Sequence, residues 1–497
     1  MPPRRIADCV AADMGDFLRD LIERHLANGV LAALLTIAGF LLAIFLVARL
    51  MSEKRAPANT FAWLLIIVLV PWVGVPLYLL LGGRKLRRLA ERKSTLRPTL
   101  PGGGTRHPFP PPVSAIVHTT VSAGAPAPVA GNSIQFITDG QAAFQVLAQH
   151  IREAQHCIHI NAFILGRDET GKRLVRLLAE RAAAGVRVRL LLDSVGSMFS
   201  RGLFVNPIRQ AGGEVGKFMP VLPFTSRGSA NLRNHRKIAV FDHCTAITGG
   251  HNLANEYMGP THAARRWQDF GAIIGGPAAA LINEIFIADW CFATRADAAQ
   301  LHAEIPEACL ANARGESALQ VVASGPDVPG DPLYEGIIAM IQEAERSIWI
   351  VTPYFIPDDV LLRSLIVKAR SGKEVTLITP RSSNHPVADF ARRHYVRELQ
   401  RAGGHVLLFG HGMLHSKAMM IDDAVGLFGS ANFDLRSLFV NFEIGVFVHS
   451  KPDVAAMKAW ATALAQRCHP APRTERHRRR FVGNVVEDLS RLLAPLL

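Results

Sequence analysis

Zinc-site spacing is missing from this chain. Its six cysteines, Cys9, Cys157, Cys244, Cys291, Cys309 and Cys468, are scattered, with no Cys-x-x-Cys and no other short interval. Thiols placed like this read as buried and free, in a reducing compartment. No cleavable leader is expected from residues 1–28, which mix both charges and have no apolar stretch preceding an Ala-x-Ala-like site. A nucleotide loop is nearly spelled at Gly166-Arg167-Asp168-Glu169-Thr170-Gly171-Lys172, but Arg173 stands where Mg²⁺ would need a Ser or Thr hydroxyl. The corresponding place later in the chain, Pro357-Asp358-Asp359, has no glycine.

Acidic residues are in deficit. Against 55 Lys and Arg there are 41 Asp and Glu, a net charge of +14, which suits nucleic acid or an anionic membrane surface without choosing between them. From Val30 to Ala48 charge is absent altogether. With Gly29 that is ~20 residues, or ~30 Å as helix, the thickness of a hydrocarbon core. A second apolar run, Phe61 to Leu81, has Trp63 and Tyr78 near its ends, where amphipathic rings favour the interface. Pro71, Gly74 and Pro76 should kink it. These runs predict a two-helix transmembrane hairpin, at 29–48 and 61–81. Arg19 and Arg24 precede it and Arg84, Lys85, Arg87, Arg88, Arg92 and Lys93 follow it, with only Arg49, Lys54 and Arg55 between. Both outer ends should therefore face the cytoplasm.

Beyond the hairpin, Pro101-Gly102-Gly103-Gly104, Pro108 and Pro110-Pro111-Pro112 read as a linker. Apolar runs then alternate with helical patterns: a strand at Cys157–Leu165, a helix at Lys172–Ala184, a strand at Val186–Leu192. That alternation predicts an α/β architecture. It recurs after about 180 residues, too long a period for a solenoid, so it means two similar domains. The expected order is a cytoplasmic segment (1–28), the hairpin (29–83), and a basic run with linker (84–130). The first domain (131–300), a connection (301–317), the second domain (318–470) and a basic C-terminal segment (471–497) follow.

Each domain carries one copy of a motif. His235-Arg236-Lys237 with Asp242, and His415-Ser416-Lys417 with Asp422, both read His-x-Lys-x-x-x-x-Asp. Each is trailed by a loop that opens on Gly and ends in Asn, Gly249-Gly250-His251-Asn252 and Gly429-Ser430-Ala431-Asn432. One copy alone could be a strand with alternating polar residues; two in register are a pair of half-sites. The residue types suit a phosphodiester. One imidazole can attack phosphorus and form a covalent phospho-enzyme. The other can protonate a departing alkoxide and later deprotonate an incoming alcohol. Two Lys and two Asn can meet the non-bridging oxygens. Half-sites on two repeats should be brought together about a pseudo-twofold axis.

Around these motifs the sequence resembles the phospholipase D superfamily and, within it, the bacterial cardiolipin synthases. The resemblance runs from about Gly29 to the C-terminus. It is carried by Asn231-Leu232-Arg233-Asn234, Asn255-Glu256-Tyr257, Trp267-Gln268-Asp269 and Asp289-Trp290, then by Thr352-Pro353-Tyr354-Phe355-Ile356-Pro357, Asn432-Phe433-Asp434-Leu435-Arg436-Ser437, Asn441 and Glu443. His251 departs from it, a small residue being more usual there. The resemblance implies two phospholipase D-like domains, His235 as nucleophile and His415 as acid-base. Lys237, Lys417, Asn252 and Asn432 would bind phosphate oxygens, and Asp269 and Glu443 would orient the imidazoles. Asp242 and Asp422, counted with the catalytic motifs, are expected to order each motif by pairing with basic groups.

The implied reaction moves a phosphatidyl group from one phosphatidylglycerol to the glycerol hydroxyl of a second, releasing glycerol. No metal or other cofactor is implied, because the Lys and Asn set covers the charge; no nucleotide is implied, because exchange between alcohols is close to thermoneutral. The partner would be phosphatidylglycerol in the bacterial inner membrane. Nucleic acid is disfavoured by the two spans ahead of the domains. A hydrolase releasing phosphatidic acid stays open, since spacing does not tell water from a lipid hydroxyl, and so does the oligomeric state.

Overall fold

The computed structural model describes residues 109–200, 202–219, 232–306, 313–328 and 330–472, with parts of 33–75. The chain divides into two units, 1–83 and 84–497. In the first, helical turns at 36–42 and 64–69 leave Ile37, Phe40, Leu41, Leu65, Val68 and Leu69 exposed. Among the described residues no helix is long and apolar enough to cross a membrane. The rest of the predicted spans lies outside those residues, as do the terminal segments 1–28 and 473–497.

The second unit is built on one sheet of 15 strands. Its first half contains β1 (Val129–Ile137), β2 (Cys157–Ala162), β3 (Arg187–Asp193), β4 (Glu214–Phe218), β5 (Ile238–Phe241), β6 (Thr245–Gly249) and β7 (Gly271–Gly275). The second half contains β8 (Ser317–Ser324), β9 (Ser347–Val351), β11 (Glu374–Pro380), β12 (His405–Phe409), β13 (Ala418–Ile421), β14 (Val425–Gly429), β16 (Glu443–Val448) and β17 (Cys468–Pro470). The short β10 (Phe355–Ile356) and β15 (Phe433–Asp434) pair apart from it. Outward from the centre, β1-β7-β6-β5-β2-β3-β4 is answered by β8-β16-β14-β13-β9-β11-β12. The equivalent strands β1 and β8 pair antiparallel, Val129 opposite Leu319, as a twofold axis through the sheet between them requires. The predicted repeat is thus two α/β domains sharing one sheet.

Strand patterning explains the layers. Alternate residues of a strand face opposite sides, so Ile238 and Val240 join one core while Ala239 and Phe241 join another. Ala418 and Met420 separate from Met419 and Ile421 in the same way. The first of these cores spans both domains under helices Pro277–Thr294 and Lys451–Ala465. Helix Pro277–Thr294 is buried at every position from Ala278 to Phe292, which is why it is apolar on all sides but for Asn283, Glu284 and Asp289, whose polar groups find partners. On the opposite face each domain has its own helices, among them Glu169–Ala183 and Asp359–Arg370, N-capped by Asp168 and Asp358. Capping is what the near-miss nucleotide loop does, Asp168 also accepting from Asn255 N at 2.8 Å.

Two expectations need correction. The supposed linker contains helix Val113–Ser122, which packs on the second domain: Ile116 is fully buried with Leu333 and Ile337, and Thr120 and Gln320 exchange hydrogen bonds. Pro and Gly flank this helix without interrupting it, and its apolar positions find their partners some 200 residues away. Cys157, Cys291 and Cys468 are free thiols as expected, whereas Cys244, on the β5–β6 turn, is disulfide-bonded.

Candidate active site

Each catalytic-motif histidine is held by the other domain. The segment before His235 lies along the segment before Glu443, with His235 N donating to Phe442 O at 2.9 Å and Phe442 N to Arg233 O at 2.9 Å. Its counterpart joins Gln268 to the segment before His415: Gln268 N donates to Met413 O at 2.8 Å and His415 N to Gln268 O at 2.7 Å. The main chain thereby sets the side chains in register. His235 Nδ1 lies 2.9 Å from Glu443 Oε1, and His415 Nδ1 lies 2.7 Å from Asp269 Oδ2. A carboxylate can only accept, so each Nδ1 carries the proton and each Nε2 keeps its lone pair. Asp269 and Glu443 therefore bond imidazoles across the domain boundary, an exchange that sequence reasoning did not anticipate.

Both carboxylates are fully enclosed. Asp269 packs so closely on Gly250 that a Cβ there would lie 2.0 Å from its Oδ1, so a side chain at that position would displace the carboxylate. Glu443 takes hydrogen bonds from Ser430 Oγ and, at 3.3 Å, from Asn441 Nδ2. Phe163 stands edge-on to His235, and Tyr257 and Trp267 enclose His415. Burial depresses His415 to about 3, reinforced by Lys417 and only partly opposed by Asp269. His235 is lowered mainly by burial as well, against the pull of Glu443. Burial would raise Asp269, but His415, Lys417 and His251 hold it below the usual carboxylate range. The resting pairs are carboxylate with neutral imidazole.

His235, His415, Asn252 and Asn432 line one cavity of about 390 Å³. It opens beyond the carboxyl ends of β2, β3, β9 and β11, at Ile164, Val195, Tyr354 and Asn384, the edge of an α/β sheet where ligands bind. Asn432 Oδ1 is buried without a partner among the described residues. Lys237 and Lys417 sit behind the histidines: Lys237 Nζ donates to His235 O at 2.8 Å, and Lys417 Nζ lies 3.2 Å from His415 Nε2. Burial brings their ammonium groups down to about 7 and about 8.

Asp242 and Asp422 do not line this cavity; backbone N–H groups hold their carboxylates. Each sits at positive φ on the hairpin turn beyond its motif strand. Asp242 accepts from the backbone N–H groups of Gln155, His156 and Cys157 at 2.7–2.9 Å. Asp422 accepts from those of Glu345, Arg346 and Ser347 at 2.5–2.8 Å. An aspartate tolerates the left-handed turn and satisfies the start of the neighbouring strand, which explains the residue without catalysis. The sequence had also shown Arg233 and Arg436 without suggesting a role; both line the cavity. Behind it, Arg236 donates to Asp289 Oδ1 at 2.6 Å and to the backbone oxygens of Glu443 and Ser324, a buried tie between the domains.

The family described as "Cardiolipin synthase, PLD-like domain" matches residues 147–290 and 337–465, one segment per domain. "Phospholipase_D-nuclease N-terminal" matches residues 40–83. A cardiolipin synthase of Geobacillus thermodenitrificans is 32% identical over 464 residues, covering 91% of this chain and 92% of its own. The major cardiolipin synthase of Bacillus subtilis is 31% identical over 492 residues, with coverage of 95% and 99%. Among solved structures, the phosphatidylserine synthase of Haemophilus influenzae covers 76% of this chain and 100% of its own with a TM-score of 0.58 at 16% identity, a likeness of fold. Matched in both domains and along nearly its whole length, the chain belongs to the cardiolipin synthase family with phospholipase D-like domains.

Proposed function

We propose that this protein makes cardiolipin and glycerol from two molecules of phosphatidylglycerol through a phospho-histidine intermediate. The observation that carries the reading is the crossed pair of carboxylate-held imidazoles facing one cavity, in a chain whose relatives are cardiolipin synthases. His235 Nε2 attacks the phosphorus of the donor, and the bond to glycerol oxygen breaks as the His415 imidazolium protonates it. His415, now neutral, removes the proton from the acceptor's hydroxyl; that oxygen attacks phosphorus and the P–N bond breaks. The donor's phosphodiester is an anion, and its entry beside buried imidazoles and lysines raises their pKa values, so His415 gains its proton with the substrate. Asn252, Asn432, Lys237 and Lys417 offset the charge on the non-bridging oxygens.

A phospholipid substrate and a membrane-associated protein fit this reading. The finer features are proposals of the same kind: spans at 29–48 and 61–81, domains at 131–300 and 318–470, and catalytic domains on the cytoplasmic side by flanking charge. Incubating the purified protein in detergent with labelled phosphatidylglycerol tests the whole. Cardiolipin and glycerol should appear in equal amounts, and added glycerol should drive cardiolipin back to phosphatidylglycerol. Phosphatidic acid as the main product, with no reversal, would make the protein a hydrolase.

A further inference from the structure

The two domains supply the reacting phosphorus with the same groups, yet the cavity is not symmetric. Arg233 and Arg436 line it, and the positions 180 residues away from them, Met413 and Glu256, carry no cation. Arg233 is 3% exposed. Its Nη1 donates to Met219 O at 3.1 Å and stands 3.5 Å from Asp193 Oδ1. Nε and Nη2 are buried with no partner among the described residues. Those two donors form the edge of the guanidinium that takes two oxygens of one phosphate. A buried donor left unpaired is costly, and native structures rarely keep one without a use.

The nearby carboxylates do not account for that edge. Asp193 accepts from the backbone N–H groups of Asn234, Val195 and Gly196 at 2.8–3.1 Å. Asp434, also in the wall, caps Ser437 N at 2.7 Å and is bonded to the Asn432 amide. Arg436 lies near enough for its charge and that of Arg233 to repel, though Asp193 outweighs the repulsion at Arg233 and Asp434, Asp193 and Glu443 attract Arg436; the open Nε–Nη2 edge of Arg233 is what an anion here would fill.

We propose that Arg233 and Arg436 form a second anion subsite, which receives the phosphate of the acceptor lipid while its hydroxyl is aimed at the phospho-enzyme. The subsite rests on the transfer reaction proposed above and adds to it a reason for the acceptor's identity. A neutral alcohol can reach the intermediate, but only an alcohol that carries its own phosphate, three carbons from the attacking oxygen, engages both arginines.

The test compares two acceptors on one intermediate. Full-length protein in mixed micelles is assayed for cardiolipin formation from phosphatidylglycerol and for exchange of labelled free glycerol into phosphatidylglycerol. In Arg233→Gln and Arg436→Gln the ratio of cardiolipin formation to glycerol exchange should fall roughly 10- to 100-fold, the value of one charge-assisted bond. Arg436→Lys should recover part of the ratio by restoring charge without the fork. A parallel fall in both reactions for both residues would overturn the proposal, placing the arginines on the reacting phosphate or in the fold. An unchanged ratio would overturn it equally. The underlying transfer reading fails in a different place, since wild-type protein would then yield phosphatidic acid before any arginine is changed.

Discussion

Replacing Asp269 by Asn would keep the outline of the side chain and remove the charge that faces His415 Nδ1 at 2.7 Å. The pair is enclosed, with Asp269 at 0% and His415 at 6% side-chain exposure, so water does not take over the lost role. Breaking a buried pair by removing one partner costs about 3–5 kcal/mol. At about 1.4 kcal/mol per tenfold that is roughly 10²- to 10⁴-fold on the step in which His415 is cationic. The step is protonation of the leaving glycerol, which a nitrophenyl phosphodiester does not need. Asp269→Asn should therefore lose that factor with phosphatidylglycerol yet retain a burst of nitrophenol, one equivalent per site, followed by slow turnover. Glu443→Gln, which frees the ring of His235 instead, should lose both activities. Stopped-flow absorbance on the two variants decides the matter. A burst that vanishes in Asp269→Asn and survives in Glu443→Gln would reverse the roles of the histidines; equal damage to both substrates in both variants would refute the division of labour.

His235→Ala and His415→Ala should each lower turnover by at least ~10³, with the double variant scarcely worse, because groups acting as a unit are not additive; full activity in either single variant refutes the shared site. In the same spirit, a good leaving group should trap a phosphatidyl adduct on His235 in His415→Ala, detectable by peptide mass spectrometry, and an adduct elsewhere refutes the assignment. For pH dependence, phosphate binding needs charged lysines, and Lys237 and Lys417 rest at about 7 and about 8. Raising pH through that range removes the charge, so kcat/KM should fall there while kcat, measured with the lysines protected by bound anion, falls only at higher pH; coincident profiles would refute it. Reporters fused after Lys93 and within residues 49–60 should score as cytoplasmic and external. The reverse pattern would overturn the charge-based orientation and match the oxidising side to which the Cys244 disulfide is suited.

The motif histidines and lysines, the asparagines after the glycine loops, and the repeat itself were legible because each is written twice at one interval. Asp269 and Glu443 were legible through family resemblance, but not which histidine each one holds. Sequence order suggests the partner within the same repeat; the antiparallel pairing of β1 with β8 and the short interdomain bridges decide otherwise, and both are long-range. Asp242 and Asp422 show the opposite difficulty. Their fixed place in the motif looks chemical, yet it reflects the turn that ends a four-residue strand. Helix Val113–Ser122 was hidden by the prolines around it, because its packing partner is a helix of the second domain.

The exchange of carboxylates also alters what duplication has given this chain. Two copies of a half-site ordinarily promise two centres, or one spare. Here they make a single centre whose parts are interleaved, so neither copy is redundant and neither is sufficient. Loss of one carboxylate should disable the histidine of the other copy, because each carboxylate contacts the imidazole of the opposite domain. The copies are consequently bound to stay alike at His, Lys, Asn and the acidic residue, where both serve one atom. They are released to differ elsewhere, as Arg233 differs from Met413, and a symmetric origin can in that way acquire a lopsided substrate.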